Sequence, residues 1–227
     1  MIPIRDEIKT KRIPYVNYML IAINIIVFMT MMFNPQKIDS IVLNNALIPV
    51  DVTQNFSLRV VKTFFTAMFM HGGWLHLISN MLYLWIFGDN IEDRLGHLGY
   101  LLFYLGAGVF ASLLHVFFNA NSNVPSLGAS GAIAGVLGAY LVFYPSSRVY
   151  TFIPFGFFMR LRPLPAVLVL GLWFVMQFFS GIGSMVSTAR GGVAYWAHIG
   201  GFVFGLLIAF LLKERVKEPV PAPPHWN

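Results

Sequence analysis

Two side chains in this sequence could do chemistry together. Ser130 lies in Leu127-Gly128-Ala129-Ser130-Gly131-Ala132, where one apolar segment begins, and His198 lies in Ala197-His198-Ile199-Gly200-Gly201, near the start of another. Polar groups are costly in hydrocarbon, so a histidine inside an apolar segment marks a functional position by default. A serine hydroxyl is a weak nucleophile until a base takes its proton, and imidazole is the usual base. The pair therefore predicts acyl transfer, with His198 taking the Ser130 proton and later returning it to a leaving amine. The tetrahedral intermediate of that reaction carries an oxyanion, which needs hydrogen-bond donors. His76 and Asn80, one helical turn apart, offer a ring N–H and a side-chain amide. The backbone N–H of Ser130 is a third candidate, because the first N–H groups of a helix have no partner within it.

The elements that must position these groups are membrane spans. Of 227 residues, 57% are hydrophobic and 11% charged, where a soluble domain carries about 25% charged residues. The fold class expected is all-α, a polytopic bundle of six transmembrane helices. The segments are Tyr15 to Phe33, Trp74 to Phe87, Leu98 to Phe118, Leu127 to Tyr144, Leu164 to Ile182 and Val193 to Leu212. The second is short for a crossing of about 20 residues. Its apolar lead-in, Val60 to Met70, reads as a re-entrant loop, which is tolerated where protein buries it. With the N-terminus inside, eleven of the fifteen Lys and Arg fall on the inner side and four on the outer, so both ends are expected in the cytoplasm. Segments two, four and six then all enter from outside. Ser130 and His198 sit about 5–8 Å below their segment starts at 1.5 Å per residue, level with His76 and Asn80. The domain reading is a basic tail over 1–12, a bundle over 13–213 and a proline-rich tail over 214–227.

Several classes drop out. The net charge of +6 comes from basic residues beside apolar segments, with no basic face for nucleic acid; such residues meet anionic lipid headgroups. With no cysteine, thiolate chemistry and disulfides are excluded. No cleavable signal pattern opens the chain, and the first segment reads as a retained span. There is no H-E-x-x-H for a metalloprotease and no aspartate within a span for an aspartyl protease, so no metal and no cofactor are expected. Residue 132 is alanine, so the serine is not in the G-x-S-x-G elbow of soluble hydrolases. No internal repeat supports a transporter of inverted halves.

Small residues recur at four-residue spacing, Gly131 and Gly135 (with Gly128 ahead of them) on segment four and Ala197, Gly201 and Gly205 on segment six. Such ridges let helix backbones approach closely, which would bring Ser130 within reach of His198. Segments four to six contain no aspartate or glutamate, so a catalytic dyad is expected, with the histidine ring held by packing. His71 reads as support for the re-entrant loop, His97 as solvated, His115 as a packing or interfacial residue, and Glu92-Asp93-Arg94 as an interfacial ion network.

Taken together, these residues resemble the rhomboid family of intramembrane serine proteases. The matching pieces are His71-Gly-Gly-Trp-Leu-His76-Leu-Ile-Ser-Asn80, Gly128-Ala-Ser130-Gly131, and Ala197-His198-Ile-Gly-Gly201 with Gly205. Pro3-Ile-Arg5-Asp6 and Gly88-Asp-Asn-Ile-Glu92 are also similar. The resemblance implies Ser130 as nucleophile, His198 as base, and His76, Asn80 and the Ser130 amide as the oxyanion hole. It implies that segment five and the loop Gly183 to Gly192 gate substrate entry. Two departures stand out: Ala134 occupies the place where many members carry an aromatic residue that stacks on the base, with Tyr195 or Trp196 as candidate substitutes, and the first outer loop lacks the Trp-Arg pair of many members. The function expected is cleavage of transmembrane protein substrates near the outer face of a bacterial inner membrane. An inactive relative that binds membrane helices, or a small transporter, are the alternatives.

Overall fold

Backbone in hydrocarbon must satisfy its own hydrogen bonds, and the apolar runs accordingly become helices. The computed structural model describes residues 1–155, 158–186 and 193–213. The long helices are α1 (Tyr15–Met32), α5 (Trp74–Leu95), α6 (His97–Phe118), α7 (Ser130–Phe143), α8 (Ala166–Val186) and α9 (Tyr195–Leu212). Four of them, α1, α6, α8 and α9, are long and apolar enough to cross a membrane.

The shortest of the long helices is the most enclosed. In α7, Ile133, Ala134, Val136, Leu137, Ala139 and Tyr140 are all at most 3% exposed. Neighbours α5, α6, α8 and α9 pack around it. Fourteen residues span about 21 Å, less than the ~30 Å hydrocarbon core. A helix wrapped in protein on all sides need not reach both headgroup layers.

Three expectations change. First, the fold is not all-α. Strand β1 (Ile2–Asp6) pairs antiparallel with β2 (Arg148–Phe155), which pairs antiparallel with β3 (Phe158–Pro165). The run Val149-Tyr150-Thr151-Phe152-Ile153 is β-branched and aromatic, the composition that favours strands. The first residues are therefore a strand laid on the connection into α8 rather than a free tail. The proline-rich segment 214–227 and residues 187–192 of the expected gating loop lie outside the described residues.

Second, the lead-in to α5 is helical. Helices α2 (Ile38–Asn45), α3 (Pro49–Gln54) and α4 (Leu58–Thr66), the last capped by Ser57 Oγ accepting from Val60 N–H, precede a short turn at Ala67–Phe69. Leu47, Val60, Phe64, Ala67 and Val116 form a small core that seats them on the end of α6. Amphipathicity explains this: Val60, Thr63 and Phe64 face inward while Lys62 reaches outward to Asn45 Oδ1.

Third, Glu92-Asp93-Arg94 is not an ion network. Proline precedes α1 and leaves it without a local cap. Glu92, 1% exposed, accepts the N–H groups of Val16 (2.9 Å) and Asn17 (2.7 Å), and Asp93 accepts that of Arg12. These carboxylates satisfy the orphan donors at the start of α1 and its approach, and Glu92 complements the helix dipole. Glu92 also meets the His97 ring, and Arg94 lies over the Phe143 ring. The need to bury this cap carries α5 past Phe87 to Leu95. Gly88 makes room, because a Cβ there would stand 2.7 Å from the Tyr100 hydroxyl.

Candidate active site

Ser130 is the first residue of α7. The turn before it is fixed at Gly128, whose φ of 130° suits glycine and whose N–H donates to Ala67 O at 2.9 Å. As the opening residue, Ser130 has no carbonyl in its own helix to accept its N–H. His198 is the fourth residue of α9. Its Nε2 lies 2.7 Å from Ser130 Oγ.

The contact follows from a seam almost free of side chains. Helices α7 and α9 run parallel and touch along their length: a Cβ on Gly201 would land on the Gly131 carbonyl oxygen, and one on Gly205 on that of Gly135. The α7 glycines serve a second neighbour as well. Cβ atoms on Gly131 and Gly135 would meet the Ala111 and Ala107 methyls of α6 at 2.8 and 2.5 Å. Gly128 lies against α5 rather than along the α7–α9 seam; a Cβ there would come within 2.8 Å of the His76 ring. Its bareness lets His76 approach the serine turn.

Helix α8 supplies what sequence reading missed. Gln177 Oε1 lies 2.8 Å from His198 Nδ1. An amide oxygen only accepts, so Nδ1 carries the ring proton and Nε2 is the free lone pair facing Ser130. The imidazole is held by a side chain as well as by packing. One turn earlier on α8, Trp173 stands against the same ring, centroids 5.8 Å apart. Ala134 is fully buried and lies against Gly201 of α9, so close that a Cβ on that glycine would stand 3.3 Å from its methyl. Trp196 does not stack on the base; it stacks on Phe118 at 3.7 Å. A signal for Gln177 existed: it is the only amide or charged residue in Leu164 to Ile182.

Asn80 is buried, and its Nδ2 donates to His71 Nε2 at 2.9 Å. His71, fully buried, lies edge-on to His76. It therefore touches the candidate oxyanion donors rather than merely bracing a loop. Ser130, His198, His76 and Asn80 line one cleft of about 1140 Å³, with Trp173 and Ser126 among its other walls. His115 also borders the cleft, with Asn119 Nδ2 3.4 Å from its Nδ1. Among the described residues no three His, Asp or Glu side chains are grouped to hold a metal ion.

The chain is similar in sequence to several proteins of known name. Residues 59–215 match the family model described as the Rhomboid domain. The chain is 28% identical over 162 residues to Rhomboid protein 1, mitochondrial, of Saccharomyces cerevisiae, covering 67% of this chain and 42% of that protein. It is 33% identical over 159 residues to Rhomboid-like protein 11, chloroplastic, of Arabidopsis thaliana, covering 66% and 52%. It is 30% identical over 201 residues to Rhomboid protease GluP of Bacillus subtilis, covering 88% of this chain and 35% of that one. The chain thus spans about a third to a half of the length of these relatives.

Proposed function

The chain belongs to the rhomboid family of membrane proteins, and from that premise we propose that it is an intramembrane serine endopeptidase. The observation that carries this reading is the 2.7 Å contact between Ser130 Oγ and His198 Nε2, both of which line one cleft. His198 accepts the hydroxyl proton as Ser130 Oγ attacks a substrate carbonyl carbon. The oxyanion takes donors from the Ser130 N–H, Asn80 Nδ2 and the His76 ring. The imidazolium then gives its proton to the leaving amine, and the acyl-enzyme forms. Water, deprotonated by the same ring, attacks the ester and restores the serine.

In this reading residues 13–213 are the protease domain, α1, α5, α6, α7, α8 and α9 are its six spans, and both ends lie in the cytoplasm. The reacting ends of α5, α7 and α9 then face the outer side of a bacterial inner membrane, though the relatives include organellar proteins too. The substrate is a single-pass membrane protein whose helix unwinds near that face, so residues of low helix propensity at the cut favour cleavage. A transporter would carry polar groups along a whole path, whereas the α7 residues beneath Ser130, Ile133 to Leu137, are apolar or glycine.

The test is a fluorophosphonate, which esterifies activated serines, added to the detergent-solubilised protein alongside cleavage of a transmembrane peptide in proteoliposomes. Wild type labels and cleaves, and Ser130→Ala and His198→Ala do neither. Folded wild type that binds the peptide yet neither labels nor cuts is an inactive binder, and the proposal fails.

A further inference from the structure

A dyad leaves open how the base is aimed, and the second ring nitrogen of His198 has an assigned partner. We infer that Gln177 is a positioning residue for the base, occupying the role of a third catalytic-site member, and that it is delivered by α8 rather than by the helices that carry Ser130 and His198. The inference rests on the protease reading above and adds to it.

The geometry supports this from three directions. The Gln177 oxygen lies 2.8 Å from His198 Nδ1, on the opposite side of the ring from Ser130. The ring is therefore clamped between a donor hydroxyl and an accepting amide, which fixes both its tautomer and its rotation. The amide does not float. Gln177 lies one helical turn after Trp173 and one before Gly181, on a single face of α8. Trp173 borders the His198 and Phe202 rings, and Phe174 stacks on Phe202 at 4.5 Å. At Gly181 the helices come so close that a Cβ would meet Ile199 Cδ1 at 3.1 Å and Tyr195 Cβ at 3.5 Å. Finally, no carboxylate on the helices that meet at His198 competes for this place: α7, α8 and α9 contain none. A neutral amide cannot stabilise an imidazolium by full charge, but it orients the ring without placing a second charge in the apolar layer.

A consequence concerns α8. Proton transfer through a correctly aimed ring requires α8 to be seated on α9. Any outward movement of α8 that admits a substrate therefore separates Gln177 from His198, and the helix must return before the serine is deprotonated.

Gln177→Leu removes the acceptor at similar size, and Gln177→Glu keeps an acceptor in place. Each is compared with wild type for kcat and KM on the transmembrane peptide, for thermal unfolding, and for the ring ¹⁵N spectrum of His-labelled protein. Misaimed catalytic groups cost up to about 10²-fold. We expect kcat for Gln177→Leu to fall by ten- to a hundredfold with KM within about threefold, the Nδ1–H tautomer of His198 to lose dominance, and Gln177→Glu to restore both. Wild-type turnover together with unchanged kcat and an unchanged tautomer in Gln177→Leu overturns the assignment of Gln177 and leaves the protease reading standing. Wild type that neither cleaves nor labels removes the protease reading itself, while the ring spectrum still decides whether Gln177 orients His198.

Discussion

Gly201 lies against the carbonyl oxygen of Gly131 so closely that no side chain fits between them. Serine and base are thus brought together by two backbones in contact, one turn below the reacting groups. Gly201→Val must push α7 and α9 apart, and overpacking of this kind costs about 1–3 kcal/mol or more. We expect a lower unfolding temperature and loss of fluorophosphonate labelling that exceeds the loss of folded protein. Labelling that tracks folded protein alone would mean that the seam supports the bundle but not the alignment of Ser130 and His198.

The hydrogen-bonded pair Asn80 and His71 makes a graded prediction. Removing one oxyanion donor costs about 10²–10³ in kcat, so Asn80→Ala should fall in that range. His71 touches the site through Asn80 Nδ2; His71→Ala should therefore lower kcat by less, and the double variant should be no worse than Asn80→Ala alone. Additive losses in a double-mutant cycle would separate the two residues.

At the other end of the bundle, Asp6 predicts a pH effect on stability. Its Oδ2 accepts from Tyr140 Oη at 2.6 Å and from Asn90 Nδ2 at 2.9 Å. Burial nevertheless lifts its carboxyl to about 6, against the pull of those hydrogen bonds. A raised acid holds its proton longer when folded. Its stabilising share is full below about pH 4 and is lost as pH climbs through 6. Asp6→Asn keeps an acceptor for both partners and removes a like charge beside Asp89. It should flatten the fall in unfolding temperature between pH 4 and 6 and raise stability at pH 7, by at most about 3 kcal/mol at 1.36 per pH unit. A slope identical to wild type would exclude Asp6 as its source.

Glu92 predicts stability without chemistry. Glu92→Ala orphans the N–H groups of Val16 and Asn17, at about 1–3 kcal/mol for buried donors left unpaired. Unfolding temperature should drop while kcat per folded molecule stays unchanged. A change in kcat at equal folded fraction would tie the α1 cap to the cleft.

Hydrophobic runs and small-residue spacing made the long helices and the α7–α9 seam legible in sequence, because both are local patterns that membrane physics enforces. The sheet was hidden: the first strand, Ile2–Asp6, pairs with residues more than 140 positions away, a pairing no local pattern announces. Glu92 was read as an interfacial ion because its actual partners are backbone N–H groups, which every residue but proline carries. Gln177 was visible as the lone amide of its segment. Its direction depends on the rotation of α8, and that rotation is set by the contacts of Trp173, Phe174 and Gly181 with α9, a tertiary relationship that no pattern within α8 announces.

The hydrolysis proposed above would consume water as a reactant, and a lipid layer that let water through would no longer be a barrier. The brevity of α7 resolves that conflict by geometry. The cleft reaches Ser130 at the first residue of α7, while Ile133, Val136, Leu137 and Tyr140 further along the helix are at most 3% exposed. On the protease reading the cleft would be a blind well: solvent would descend to Ser130 from one compartment and meet buried apolar side chains beneath it.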